Sequence, residues 1–314
     1  MAKTITRDSL RRETLAGQIG GHTVKVDVLP LMGANMVSFV VDGKELIYWS
    51  EQDLFDPKES QQRGCFHMFP TPCRLPDARY VFQGKEYIQK KHGEKVIIHG
   101  LMRDEPMEIS RRKDELTATL HVTPGHPVYE GYPFACVFSL TYRLIEAGVQ
   151  IAFRYENNGR GDAPFGYGLH PFWLIAGARK DTAICVPCDY LMELENLVPT
   201  GEIKPVDGTL DLRSPTSLEG VDIDNLFWKR NRHVPAQVEY LAERKALVLD
   251  ASEVFNHMIA YAPGGKPFVC VEFLTCAPDQ INLAERGKKD VSGLIVVPPG
   301  KTVEGWVRYT LKNL

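Results

Sequence analysis

From Thr23 the chain alternates between apolar and polar positions. Val24, Val26 and Val28 fall on one parity and Lys25 and Asp27 on the other, the two-residue period of a strand with one buried face. Residues 36–41 continue the pattern. Asp42-Gly43 then signals a hairpin turn into a third strand at 45–49. Residues 80–82 and 86–89 flank Gln83-Gly84-Lys85 as a further hairpin. A short apolar strand at 95–98 runs into His99-Gly100, and residues 108–111 and 116–122 alternate about a charged turn. The clearest signal lies at 134–155. Phe134, Cys136, Phe138, Leu140, Tyr142 and Leu144 share one parity, and after Glu146-Ala147-Gly148 the set Val149, Ile151, Phe153 and Tyr155 takes over. This predicts a long antiparallel hairpin with one face in a core. Residues 237–249 repeat the scheme around Glu243-Arg244-Lys245. Residues 294–297 and 303–311, separated by Pro298-Pro299-Gly300-Lys301, predict a closing hairpin.

Helical periodicity is scarce, and only 279–286 predicts a short helix. The 26 glycines and 21 prolines suit many turns between strands. Residues 50–76, rich in Pro, Gln and Asp, read as a long irregular loop with a functional role, carrying His67 and Arg74. No fixed-period repeat or composition break divides the chain. The expected fold is all-β, a large antiparallel β sandwich in a single domain spanning 1–314.

Composition narrows the function. The chain has 314 residues and a net charge of −3 without a long basic run, which argues against nucleic acid as a partner. No apolar stretch approaches the ~20 residues needed to span a bilayer, and the polar, basic residues 1–12 lack the apolar run of a secretory signal. The expectation is a cytoplasmic protein without a membrane partner. Seven scattered cysteines do not read as a disulfide framework. Cys185-Val186-Pro187-Cys188 has no second pair to complete a zinc ribbon and reads as two thiols in or beside a strand. No feature of the sequence sets the oligomeric state.

Four stretches carry candidate chemistry. Gly166-Tyr167-Gly168-Leu169-His170-Pro171-Phe172-Trp173 places a histidine among aromatic rings. Its glycines allow close backbone approach to a ligand, and Pro171 biases His170 toward an extended conformation. Such a histidine can exchange protons near neutral pH, or be a satisfied structural one. Ile98-His99-Gly100-Leu101-Met102-Arg103 ends a strand with a histidine. Asp222-Ile223-Asp224-Asn225-Leu226-Phe227, taken alone, reads as a solvated loop. Val269-Cys270-Val271-Glu272-Phe273-Leu274 has one carboxylate in an apolar strand. Facing outward, Glu272 would be solvated; facing inward, desolvation would raise its pKa and make it a competent base.

Together these stretches resemble the aldose 1-epimerase (mutarotase) family, in the family's order and over nearly the whole chain. The matching segments are His99-Gly100, Gly166 to Phe172, Asp224-Asn225-Leu226-Phe227 and Glu272. Pro278-Asp279-Gln280-Ile281-Asn282-Leu283, the first hairpin at 33–43 and Cys73-Arg74-Leu75 add to the likeness. The resemblance implies a galactose-mutarotase-type supersandwich with an open cleft, a small-molecule sugar substrate, and no cofactor or metal. It implies Glu272 as general base and His170 as general acid, with His99, Arg74 and Asp224 binding the sugar. Galactose enzymes usually follow the histidine with two glycines, whereas here Gly100-Leu101-Met102-Arg103 follows. His-Gly-x-x-Arg is closer to the hexose-6-phosphate 1-epimerase branch, where Arg103 would hold phosphate. A rival of another class is a sugar-binding β sandwich without catalysis.

Overall fold

The computed structural model describes residues 10–52 and 63–314. Among these residues two large antiparallel sheets carry the fold. The first has twelve strands. Its main path runs Glu13–Ile19, His22–Leu29, Asn35–Val41, Cys65–Met68, Gly168–Pro171, Phe268–Leu274, His257–Ala262, Ile223–Arg230, Cys188–Glu195, Val198–Pro205, with Lys44–Glu45 and Trp173–Leu174 attached beside it. The second has nine. They run Glu108–Arg112, Glu115–Val122, Cys136–Ile145, Gly148–Asn157, Thr302–Asn313, Lys245–Ala251, Ala236–Tyr240, Thr182–Cys185, Thr216–Ser217. The expected all-β sandwich is therefore observed.

The long hairpin forms as its parity predicts. Leu140 pairs Phe153 and Tyr142 pairs Ile151, and the apolar parity of both strands is buried from Cys136 to Tyr155. Full burial of one such side chain stabilises by roughly 1.5–3 kcal/mol, so this ribbon is a main anchor of the core. Of the short helices, Gln280–Glu285 lies where expected, while Pro127–Gly131 and Lys289–Ser292 were not anticipated. Among the described residues no helix is long and apolar enough to cross a membrane. Cys185 and Cys188 end and begin strands in different sheets, and both are free buried thiols.

Several expectations are corrected. Residues 53–62 of the expected loop lie outside the described residues, but Cys65–Met68 within it is a central strand. All four of its residues are buried, so it shows no polar alternation to read. Residues 294–297 and 303–311 do not pair with each other. Ile295–Val297 pairs Ala163–Phe165, while Thr302–Asn313 enters the second sheet between Gly148–Asn157 and Lys245–Ala251. The strand expected at 45–49 stops at Glu45, whose carboxylate accepts backbone N–H bonds from Phe39, Leu46 and Ile47 and turns the chain. At 95–98 only Lys95 lies in a strand, with Ile98 bridging Arg74. The expected solvated loop at 222–227 is mostly strand Ile223–Arg230.

The first sheet is covered on both faces over its central strands, and the two-residue period sorts their side chains. Cys65, Phe69, Leu169, Val269, Val271, Phe273, Met258, Ala260 and Phe227 belong to the core between the sheets. Phe66, Met68, Phe172, Cys270, Leu274, Ile259 and Leu226 form a second cluster on the opposite face. That outer face is the floor of the candidate site.

Candidate active site

Strand register brings the chemistry together. Gly168 pairs Leu274 and Leu169 pairs Phe273, so the next step along the same antiparallel register sets His170 opposite Glu272. On the other side of the glutamate strand, Ile259 pairs Glu272 and Tyr261 pairs Cys270. One strand further, Asp224 pairs Tyr261. These residues share the outer face, and an open cleft of about 150 Å³ sits over them. Arg74, His99, His170, Asp224, Tyr261 and Glu272 line it, with Phe172, Leu194 and Leu197 as apolar wall. Residues nearly 200 positions apart in sequence thus converge.

Glu272 points away from the sandwich core and is nevertheless buried, at 1% exposure. The simple pairing of outward with solvated fails because the outer face has its own apolar cover. His170 Nε2 lies 3.3 Å from Glu272 Oε1. His170 Nδ1 and Glu272 Oε2 are buried and have no hydrogen-bond partner among the described residues. The His170 ring packs against Phe172, stacked at 4.6 Å, and against Phe66 at 4.7 Å. Burial pushes the Glu272 carboxyl well above its usual range, and the Asp224 carboxylate adds to this. Burial likewise depresses His170 to about 3, helped by the positive charges of Arg103 and Arg63. Burial thus disfavours the charged form of both members of the pair.

His99 stands edge-on to His170, ring centroids 5.2 Å apart, with its Nδ1 3.1 Å from Met68 Sδ. Burial lowers its pKa well below the usual value, and His170, Arg103 and Arg74 push the same way. The turn beneath it is tight: His99 itself has φ +62°, and Gly100 has φ +70°. A Cβ on Gly100 would lie 2.3 Å from the Phe69 carbonyl oxygen, so glycine is required there. Gly166 is likewise hemmed in, by Pro70 O and Cys276 Sγ at 2.8 Å from a would-be Cβ. The close approach expected toward a ligand is, at Gly166, an approach to protein. Asp224 stands at the cleft mouth; surrounding burial raises its pKa and Arg74 opposes the shift.

Arg103 is not among the residues that line the cleft; it lines a neighbouring pocket with Lys91, His92 and Lys95. Its guanidinium carbon lies 5.6 Å from the centroid of Phe66, the ring that also packs against His99 and His170. Asp104 and Glu105 are engaged by Lys91, which also donates to Leu101 O at 2.8 Å and so holds this turn in place. His67, expected in a functional loop, instead points into the sandwich core. It is fully buried, with Nδ1 2.7 Å from Tyr167 Oη and Nε2 2.6 Å from Tyr142 Oη. Sequence reasoning missed Arg63, which is buried with its guanidinium carbon 5.1 Å from both the Phe172 and Phe268 rings. It also missed Phe66 and Tyr261. Phe66 had no alternation to reveal it, because all four residues of its strand are buried.

A sequence model of the family described as Aldose 1-epimerase matches residues 20–310. The uncharacterized protein YihR of Escherichia coli (strain K12) is 30% identical over 173 residues, 54% of this chain and 50% of that protein. The galactose mutarotase of Rattus norvegicus is 29% identical over 153 residues, 46% of this chain and 44% of that protein. The matched segments span about half the length of these curated relatives. Among solved structures, a galactose mutarotase-like protein from Clostridium acetobutylicum aligns with a TM-score of 0.84 at 18% identity, covering 97% of this chain and 98% of that one; this likeness concerns the fold.

Proposed function

The chain belongs to the aldose 1-epimerase family, and on that premise we propose that it interconverts the α and β anomers of an aldohexose by general acid–base ring opening. The observation that carries this reading is the buried His170–Glu272 contact at 3.3 Å on the cleft floor, each residue keeping a second polar atom without a partner among the described residues. Two proton carriers at one anomeric centre are what the reaction needs.

In this reading the sugar enters and the shared proton passes from Glu272 to His170. Glu272, now a carboxylate, takes the proton of the C1 hydroxyl. The C1 carbonyl forms as the bond from C1 to the ring oxygen breaks, and its electron pair goes to that oxygen. His170 gives the ring oxygen its proton. Rotation about C1–C2 presents the other carbonyl face, and the same transfers in reverse close the ring. The protons balance with these two groups. Arg74, His99 and Asp224 would hold the hydroxyls, and Phe172, Leu194 and Leu197 would cover the apolar face of the ring. The purified chain should speed the optical-rotation change of freshly dissolved α-aldohexoses. Sugar binding without any acceleration would favour the non-catalytic sugar-binding protein.

A second reading, hexose-6-phosphate 1-epimerase, is favoured by one observation: Arg103 packs against Phe66, the ring that also touches His99 and His170. Arginine holds phosphate through two charge-assisted bonds at once.

A further inference from the structure

We propose that the cleft floor is also a binding site for a thiophilic divalent cation of the zinc class, held by His170, Cys270 and Glu272, and that the cation and the sugar exclude one another. One donor atom from each of these residues lies within 4.8 Å of the other two, and all three residues are buried. Cys270 and Glu272 stand two apart on one strand and so share its outer face, while His170 comes from the neighbouring strand. Both backbones are therefore pinned in the sheet, and only side chains have to adjust.

One edge of the donor triangle already has the length a tetrahedral ion requires, and the others close by side-chain adjustment. Bond lengths of about 2.0–2.1 Å to nitrogen and oxygen and about 2.3 Å to sulfur imply donor–donor edges of roughly 3.3–3.6 Å. The His170–Glu272 contact is already 3.3 Å. Thiolate, imidazole and carboxylate together suit zinc, cobalt or cadmium rather than magnesium or calcium. Three protein donors leave a fourth position open. There a water would sit. Glu272 Oε2, which has no protein partner among the described residues, supplies a second reason for a ligand at this point.

Charge limits the affinity. Uptake displaces the Cys270 thiol proton and the proton shared by His170 and Glu272. The resulting negative charge, with Asp224 near Glu272, is offset by Arg63 and Arg103 near His170. The expected occupant is a cation at micromolar rather than picomolar level. It would silence the acid–base pair by taking both members at once.

Titration of the full-length protein with Co²⁺ tests this. Wild type should develop an intense near-ultraviolet thiolate-to-cobalt band, which Zn²⁺ abolishes and saturating sugar suppresses. Cys270→Ala and Cys270→Ser, each checked by thermal melting, should lose the band and weaken binding at least tenfold. Cys73→Ala, at a thiol that lines the cleft, should keep it. No band in wild type, or a band that survives in both Cys270 variants, overturns the proposal. The spectral arm stands apart from the epimerase reading. A Cys270-dependent band that sugar does not suppress upholds the metal site and counts against a sugar in this cleft. Acceleration of anomer exchange without any band removes the metal site alone.

Discussion

His67 and His170 sit one strand apart in the same sheet and differ in almost everything that matters. Both are buried, and burial drives both down to about 3. His67 projects into the sandwich core, where the tyrosine hydroxyls of Tyr167 and Tyr142 engage both its nitrogens. His170 projects from the opposite face. One nitrogen meets a carboxyl and the other meets no protein group among the described residues. A shifted pKa therefore does not separate a structural histidine from the proposed proton carrier. Unfinished hydrogen bonding beside an opening does, because an unpartnered buried polar group costs stability that a structural role does not require.

Substituting the two histidines should break the comparison apart most strongly. His170→Gln should lower kcat by roughly 10²–10⁴-fold, the usual worth of one positioned proton carrier, at nearly unchanged stability. His67→Gln should do the reverse. It should cost about 1–3 kcal/mol of folding free energy through the tyrosine hydroxyls it leaves poorly paired, while kcat per folded molecule holds. Denaturant melts beside activity measurements check both, and matching losses in the two variants would erase the distinction.

Arg103→Ala should have the next largest effect. If the substrate carries phosphate, KM for the phosphorylated hexose should rise about ten- to a hundredfold, with KM for the free hexose almost unchanged. Equal, small changes on both sugars would take Arg103 out of phosphate recognition.

The smallest effect is a missing one. In the proposed mechanism the competent form holds one proton on the His170–Glu272 pair. His170 gains a second proton only as pH falls toward about 3. Glu272, whose pKa is raised, loses its proton only well above the usual carboxyl range. The pH profile of kcat/KM should therefore show no fall in activity as pH drops through about 6.5, the ordinary histidine value. A clear acid limb there would place a solvated histidine in the mechanism.

The same contrast explains what the sequence revealed. The 136–157 ribbon was legible because one of its faces meets the core and the other does not, so its residues alternate. Cys65–Met68 and Ile223–Arg230 were not, since the first is buried on both faces and the second mixes exposed and buried positions irregularly. Glu272 was legible as a lone carboxylate in an apolar strand. Arg63 had no such contrast, and its place against Phe172 and Phe268 depends on strand neighbours far away in sequence. The misread closing hairpin has a similar origin. Alternation identifies a strand, but its partner is set by long-range packing.

Glu272→Gln tests the central claim most directly. It keeps the shape of the side chain and removes the base. The raised carboxyl pKa means that the folded state loses stability as pH climbs from the unfolded carboxyl value toward the folded one. Glutamine removes that loss, so the variant should melt no lower than wild type at neutral pH. Saturation-exchange NMR on a panel of free and phosphorylated hexoses should show wild type accelerating α–β exchange on at least one sugar. The variant should bind that sugar but leave its exchange at the buffer rate. Wild-type exchange rates in the folded variant would move the base elsewhere and contradict the account.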